Sequence, residues 1–354
     1  MVRIEHPLYR EDLSNTAALI ERSGLSGKIL IIGATGLIGS FLTDSLIFFN
    51  RSIRKQFEIY AMGRSLLRLQ KRFSYALSDE IFFWEHDINE PLDTEIEFDY
   101  IFQLASNADP GAYAAYPVET ITTNVLGCIN VIQYAKGHLD AHVLFTSSME
   151  VYGENDGRLL QEGDFGVIDC NCIRSGYPES KRVSELLYRS AVQQYGIWGC
   201  IARLGYIYGP AMTNTDNKVV AQFLRAAVRG HDLVLESPGL QRRTYCYVAD
   251  AVTGMVTAVT AGASGEAYNI ADRNSLVTIR QMGEIIAEHC GVKMISAESM
   301  PGDNGQAGRQ DAVLDAEKLE QLGWNARIGI TEGLYRTLKM MDQEGNARDA
   351  WILR

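Results

Sequence analysis

The stretch Lys28-Ile-Leu-Ile-Ile-Gly-Ala-Thr-Gly-Leu-Ile-Gly-Ser40 constrains the fold of this chain more than any other. Lys28 to Ile32 reads as a buried strand, and the residues beyond Gly39 read as a helix, with a tight turn between them. Gly33 permits the turn, Gly36 lets the backbone come close to a ligand, and Gly39 lets the helix pack against the strand. A helix that begins directly after such a turn presents free backbone N–H groups, which hold an anion such as a pyrophosphate. A dinucleotide site is therefore expected here, with Thr35, Leu37 and Ile38 among its contacts. The spacing is Gly-x-x-Gly-x-x-Gly, not Gly-x-Gly-x-x-Gly. The flanking strand and helix thus carry the reading as much as the glycines, which alone would fit simple tight packing.

Downstream, strand and helix patterns alternate. Phe57 to Met62, Ile81 to Trp84, Tyr100 to Ala105 and His142 to Thr146 read as strands. Phe41 to Phe49, Val118 to Lys136 and Tyr177 to Gln194 read as helices. This predicts an α/β fold with a Rossmann-type doubly wound parallel sheet, whose ligands lie outside the carboxyl ends of the strands. Strand ends therefore nominate contacts. After the second strand, an acid would hold the adenine-side ribose of NAD+, whereas a nearby arginine can accept the 2′-phosphate of NADP+. The acid is missing and Arg64 is present, which leans towards NADP+ and leaves NAD+ open, since arginine also stacks on adenine. Asp87 and Ile88 are expected against the adenine. Leu104, Ala105 and Ser106 are expected on the nicotinamide side, with Asn107 reaching the substrate.

The fifth strand runs into Ser147-Ser-Met-Glu-Val-Tyr-Gly153, and Tyr177-Pro-Glu-Ser-Lys181 opens the next helix. Residues four apart share a helix face, so the Tyr177 hydroxyl and the Lys181 ammonium can serve one site. The ammonium is expected to lower the phenol pKa and to hold a ribose hydroxyl. A bare Tyr-x-x-x-Lys carries little. It gains weight after a serine-bearing strand end and an upstream glycine turn.

Together these residues resemble the extended short-chain dehydrogenase/reductases, the NAD-dependent epimerase/dehydratase group acting on nucleotide sugars. The resemblance spans about residues 28 to 340. It adds Asn124-Val-Leu-Gly127, Glu150-Val-Tyr-Gly153, Arg203 with Tyr208-Gly-Pro210, Arg243-Thr-Tyr-Cys-Tyr-Val-Ala-Asp250 and Leu322-Gly-Trp324. It implies that Tyr177 is the base for a sugar hydroxyl, that Ser148 hydrogen-bonds that hydroxyl, and that Lys181 holds the nicotinamide ribose. It also implies that Asn124 serves the cofactor and that Arg243 and Arg309 meet the nucleotide phosphates. Tyr206 stands where the family has a substrate-contacting Asn. Glu150 matches the 4,6-dehydratases and glucuronate decarboxylases, while Met149 replaces the Asp that protonates the leaving hydroxyl in the dTDP-glucose type. The resemblance thus implies an enzyme working through a 4-keto nucleotide sugar. A 4,6-dehydratase on a dTDP-, UDP- or GDP-hexose comes first, with a UDP-glucuronate decarboxylase or a 4-epimerase as alternatives. A non-catalytic NAD(P)-binding regulator is the reading from a different class. A homodimer is also implied, pairing the helices Val118 to Lys136 and Pro178 to Gln194 into a four-helix interface.

Three segments are expected: an N-terminal extension (1–27), a dinucleotide-binding domain (28–205, returning at about 241–275) and, over 206–354, mainly a small mixed α/β lobe for the nucleotide sugar. In the extension, Glu11 to Ser23 reads as a helix packed on the outside through Leu13, Ala17, Leu19 and Ile20. In the lobe, Val219 to Arg229 and Arg280 to His289 read as helices, Arg225 and Arg242 add positive charge, Asp250 is expected to cap a helix from Ala251, and Gly302 to Gly308 reads as a mobile loop. The chain of 354 residues is 46% apolar, ample for a full core. Its net charge of -11 argues against nucleic-acid or anionic-membrane partners. No apolar run is long enough to span a bilayer and residues 1 to 28 lack a signal-peptide core, so a cytoplasmic location is expected. Cys170 and Cys172 lack companions for a metal set, and no structural metal is expected.

Overall fold

The structure, a computed structural model, describes residues 4–108, 110–155, 157–212, 216–296 and 311–342. Seven parallel strands form its central sheet: β1 (Gly27–Ile32), β2 (Phe57–Gly63), β3 (Phe82–Glu85), β4 (Tyr100–Gln103), β5 (His142–Ser148), β6 (Trp198–Leu204) and β7 (Ala267–Ile270). Their order across the sheet is β3-β2-β1-β4-β5-β6-β7. The chain therefore winds outward in opposite directions from β1 and β4, and the crevice opens where these two strands part. The central strands are rich in apolar residues because both faces of the sheet are covered there. Successive side chains alternate between two cores: Ile29, Ile31, Ile59 and Phe102 enter one, and Leu30, Ile32, Met62 and Ile101 the other.

The longer helices are α1 (Pro7–Ser23), α2 (Leu37–Ser52), α3 (Leu66–Arg72), α4 (Pro117–Gly137), α5 (Gly176–Tyr195), α6 (Val219–Val228), α7 (Val248–Ala261), α8 (Ile279–Cys290) and α9 (Ile330–Met341). α1, α2 and α7 cover one face of the sheet, and α4 and α5 cover the other. α1 corrects the expected outer appendage. It starts at Pro7 because the His6 side chain caps it, and it ends at Gly24, whose φ of 72° needs no Cβ. Tyr9, Leu13, Ala17 and Ile20 are buried, whereas Leu19 is only half-buried. The Tyr9 hydroxyl donates to Asp44 on α2 at 2.5 Å, and the Tyr247 hydroxyl donates to Asp12 at 2.7 Å. The extension is thus part of the main core.

The lobe is built from short strands. Tyr206–Tyr208 runs parallel to Arg242–Tyr247, which pairs antiparallel with Leu276–Thr278. Leu233–Leu235 pairs with Met294–Ser296, and Leu159–Leu160 with Val313–Leu314. α8 opens on a capping box, with Thr278 on the Gln281 amide and Gln281 on the Thr278 amide. Asp250 is not the expected cap. α7 already starts at Val248, and the Asp250 carboxylate turns instead to the Ile328 N–H at 2.8 Å. Trp324 is buried against α7, its indole N–H donating to Thr253 at 3.1 Å. Arg309 and the Gly302 to Gly308 loop lie outside the described residues. Among the described residues, no helix is long and apolar enough to cross a membrane.

Candidate active site

Gly33 adopts a φ of 89°, and a Cβ there would lie 2.9 Å from the Ala105 nitrogen. A Cβ on Gly39 would lie 2.4 Å from the Gly33 carbonyl oxygen, closer than real Cβ atoms come. Gly36 is the N-cap of α2, and no side chain caps the helix there. The first N–H groups of α2 therefore point into the crevice with no side-chain acceptor, which suits a pyrophosphate. Two cavities meet at this turn, sharing Gly33, Gly36, Leu104 and Ser106.

The larger cavity, about 570 Å³, takes Leu37, Ile38, Ser148, Glu150, Tyr177 and Lys181 into its wall. Tyr177 is nearly buried, and its ring stacks on Tyr113 at 5.1 Å. Its phenol is held above the ordinary range, first by burial and then by the Glu150 charge, while a hydrogen bond with Ser148 works the other way. The Lys181 Nζ donates to the Thr146 carbonyl at 2.8 Å and lies 5.9 Å from the centre of the Tyr177 ring. Burial pulls the Lys181 pKa down to about 7. Lys181 thus reaches the same site as Tyr177, but the net shift of the phenol is upward, not the lowering expected from its charge. A desolvated ammonium tied to a carbonyl does not offset the burial of the phenol.

Glu150 is held by two residues that sequence reasoning missed. Arg174 clamps its two carboxylate oxygens at 3.2 Å each, and the Tyr113 hydroxyl reaches Oε1 at 3.4 Å. Arg174 also donates to the Tyr113 hydroxyl at 3.2 Å. Arg174 stands three residues before Tyr177, so a cation beside the Tyr-x-x-x-Lys motif was the available signal. Tyr113, in the short helix Pro110–Ala115, belongs to no motif. Asp216, Asn217 and Lys218 also line this cavity.

The smaller cavity, about 240 Å³, includes Thr35, Arg64, Asp87, Ile88, Ala105 and Asn107. Asn107, expected at the substrate, lines this smaller cavity beside the glycine turn, its amide donating to Thr120 at 3.3 Å. Asn124 lines neither cavity. It accepts from Ser106 at 2.8 Å and donates to Ser180 at 2.9 Å, tying α4 to α5 and to the end of β4. Tyr206 lines the larger cavity, whereas Arg243 is not part of its wall, its guanidinium lying 5.1 Å from the Tyr206 ring centre. The Ser147 hydroxyl donates to Glu185 at 2.5 Å, and Glu185 is paired with Arg203 at 2.8 Å.

The sequence profile of the NAD dependent epimerase/dehydratase family matches residues 29–271. The chain belongs to that family. UDP-glucuronic acid decarboxylase 3 of Arabidopsis thaliana is 35% identical over 310 residues, which is 87% of this chain and 86% of the plant protein. UDP-glucuronic acid decarboxylase 1 of Xenopus tropicalis is 31% identical over 319 residues, 90% of this chain and 72% of that one. The dTDP-glucose 4,6-dehydratase of Streptomyces venezuelae, solved with NAD, superposes with a TM-score of 0.75 at 22% identity, covering 91% of this chain and 99% of that one. UDP-glucose 4-epimerase of Thermotoga maritima gives 0.74 at 23%, covering 88% and 98%. These two structures share the fold. The family's dinucleotide, NAD or NADP, fits the residues present. A Cβ would fill the cradle at Gly33 and Gly39, the first turn of α2 has no side-chain cap, and the two joined cavities follow the crevice on both sides of the turn.

Proposed function

We propose that the protein decarboxylates a UDP-linked uronic acid through a 4-keto sugar. One observation carries the reading: the three side chains at the end of β5 are Ser148, Met149 and Glu150, and the middle one, 7% exposed on the cavity wall, has no proton to give. Loss of water across C5–C6 calls for an acid at the departing hydroxyl besides the base at C5. Loss of carbon dioxide calls for none, because the electrons of the C5–C6 bond flow into the 4-keto group. The identity to the UDP-glucuronic acid decarboxylases named above supports the same choice. The 4,6-dehydratase, first on sequence grounds, therefore moves to second place.

The bound dinucleotide supplies the hydride acceptor and donor at C4. The chain's residues do the rest. Ser148 orients the C4 hydroxyl, and Tyr177 as phenolate takes its proton while C4 becomes a ketone. The C6 carboxylate is then β to that ketone. The C5–C6 bond breaks, carbon dioxide leaves, and the electron pair becomes a C4–C5 enolate. Glu150, its side chain 23% exposed and clamped by Arg174, relays a proton from solvent to C5. Tyr177 returns its proton to O4, and the product is a UDP-pentose.

The test is mass spectrometry after separate incubation with UDP-glucuronate, UDP-glucose, dTDP-glucose, GDP-mannose and UDP-N-acetylglucosamine. The expected result is a product lighter by carbon dioxide from UDP-glucuronate alone. A product lighter by water from any of the hexoses would replace the decarboxylase with a dehydratase.

A further inference from the structure

Two thiols lie close to the site in sequence without serving it. Cys170 and Cys172 are both exposed, whereas Cys128, Cys200 and Cys246 are buried. They flank Asn171 in a tight turn, which the Cys172 N–H closes by donating to the Asp169 carbonyl at 3.2 Å. Residues two apart have Cα atoms at most about 7 Å from each other, and a turn brings them closer. A disulfide needs a Cα separation of about 4.4–6.8 Å, so adjusting this turn alone suffices to bridge the pair.

The same turn sets Arg174. The Asp169 carbonyl also accepts the Ser175 hydroxyl at 2.6 Å, and the Cys172 carbonyl accepts the Ser175 N–H at 2.9 Å. The Asp169 carboxylate accepts the Asn171 N–H at 2.9 Å. Arg174 is carried on this frame, from which it clamps Glu150 and lies over the Tyr113 ring at 5.5 Å. A ring closed through the two sulfurs resets the backbone dihedral angles at Asn171 and Cys172, on which the frame's hydrogen bonds depend. We propose that Cys170 and Cys172 are a site of reversible thiol oxidation, converted to a disulfide by a low-molecular-weight disulfide such as oxidised glutathione, and that closing the ring draws Arg174 off Glu150. The thiolate of one cysteine attacks the glutathione disulfide and expels one glutathione thiolate. The thiolate of the other attacks the protein-bound sulfur of the mixed disulfide and expels the second. The protein loses two protons and two electrons, and the oxidant gains them as two thiols. So short a loop constrains the unfolded chain little, which leaves the disulfide open to reduction. The oxidation itself is independent of the sugar reaction, whereas its effect on rate rests on the proposed roles of Glu150 and Tyr177.

The experiment has two readouts besides turnover. First, the purified protein is incubated with oxidised or reduced glutathione, alkylated, digested and read by mass spectrometry. After oxidation, the wild-type peptide carrying both cysteines should be lighter by two hydrogens and take no alkyl group. Cys170→Ser and Cys172→Ser should each hold a glutathione instead. Second, limited trypsin cleavage after Arg174 should be several-fold faster in the oxidised wild type, with no change on oxidant treatment in the double variant Cys170→Ser with Cys172→Ser. In turnover, oxidation should lower kcat/KM near neutral pH by about tenfold, the equivalent of one pKa unit at Tyr177, and dithiothreitol should restore it. Arg174→Ala should form the same disulfide with no further loss of rate. Unreacted thiols, a lasting glutathione adduct on the wild type, or a bridge between two chains overturns the site. A disulfide that leaves cleavage after Arg174 unchanged overturns its link to the clamp. A protein that oxidises and is cleaved as expected but decarboxylates no sugar supports the site and overturns the proposed function.

Discussion

At the scale of single residues, the proposed reaction makes Tyr177 the group whose protonation the site has to control. Glu150 pushes its pKa up and Arg174 pulls it down. A base works only in its deprotonated form, so the acid limb of the kcat/KM profile follows the Tyr177 pKa. Glu150→Gln removes the negative neighbour and is expected to move that limb to lower pH. Arg174→Ala leaves Glu150 unopposed and should move it to higher pH, each by about one unit. A pH–rate series on the two variants checks both signs, and shifts in the same direction would break the account. Lys181 gives a second pH test. Its folded pKa is about 7, below the unfolded value, so from pH 7 up to the unfolded pKa the unfolded chain binds the extra proton. Wild type should therefore gain stability relative to Lys181→Met as the pH is raised from 7 to 10, read from denaturant midpoints of cofactor-free protein.

The residues legible in the sequence were those whose chemistry fixes their spacing. Gly33 and Gly39 are set by backbone approach, and Tyr177 and Lys181 by one helical turn. Arg174 and Tyr113 were missed because they reach Glu150 through space, from the 3₁₀ turn Ile173–Ser175 and from a short helix, neither of which carries a motif. The strand end at Asn107 nominated only an edge of the sheet, because which of the two cavities a side chain lines depends on the loop that follows.

At the scale of elements, the strand–turn–helix is tight enough for one methyl group to matter. Gly39→Ala would press a Cβ against the Gly33 carbonyl and the Ala34 Cα. It should cost about 1–3 kcal/mol in stability and weaken dinucleotide binding, measured by denaturant unfolding and by titration. The central strands were readable because their apolar runs are short and bounded by turn residues. α1 was the element misjudged. Its buried side includes Asp12 and Thr16, whose polarity breaks the apolar stripe that sequence reading follows. Arg336 on α9 pairs with Asp12 at 2.9 Å and Tyr247 caps it from the lobe, which only the tertiary fold reveals. Removal of residues 1–24 should therefore give insoluble or unfolded protein, not a trimmed enzyme, as judged by expression and circular dichroism.

At the scale of the whole molecule, the winding of the sheet and the position of the crevice were legible, because alternating strands and helices permit few other layouts. The lobe was less so. Its strands are only two to six residues long and pair with partners far away in sequence, as Leu159–Leu160 does with Val313–Leu314. Beyond the single chain, α4 and α5 pack together and leave Val118, Leu126, Val183 and Leu186 exposed. A second copy pairing through these helices would cover them. The expected outcome is a dimer by sedimentation that Leu186→Glu with Val183→Glu converts to a monomer.

In the proposed reaction carbon dioxide leaves from C6 of the sugar after Tyr177 has helped to oxidise C4. The direct measurement uses UDP-glucuronate labelled with carbon-13 at C6 and follows the label by NMR. Wild-type protein supplied with dinucleotide should move the label into carbon dioxide and bicarbonate, and Tyr177→Phe should slow this by roughly a hundredfold or more. Label retained in the sugar by wild type, or released equally fast by Tyr177→Phe, would contradict the account.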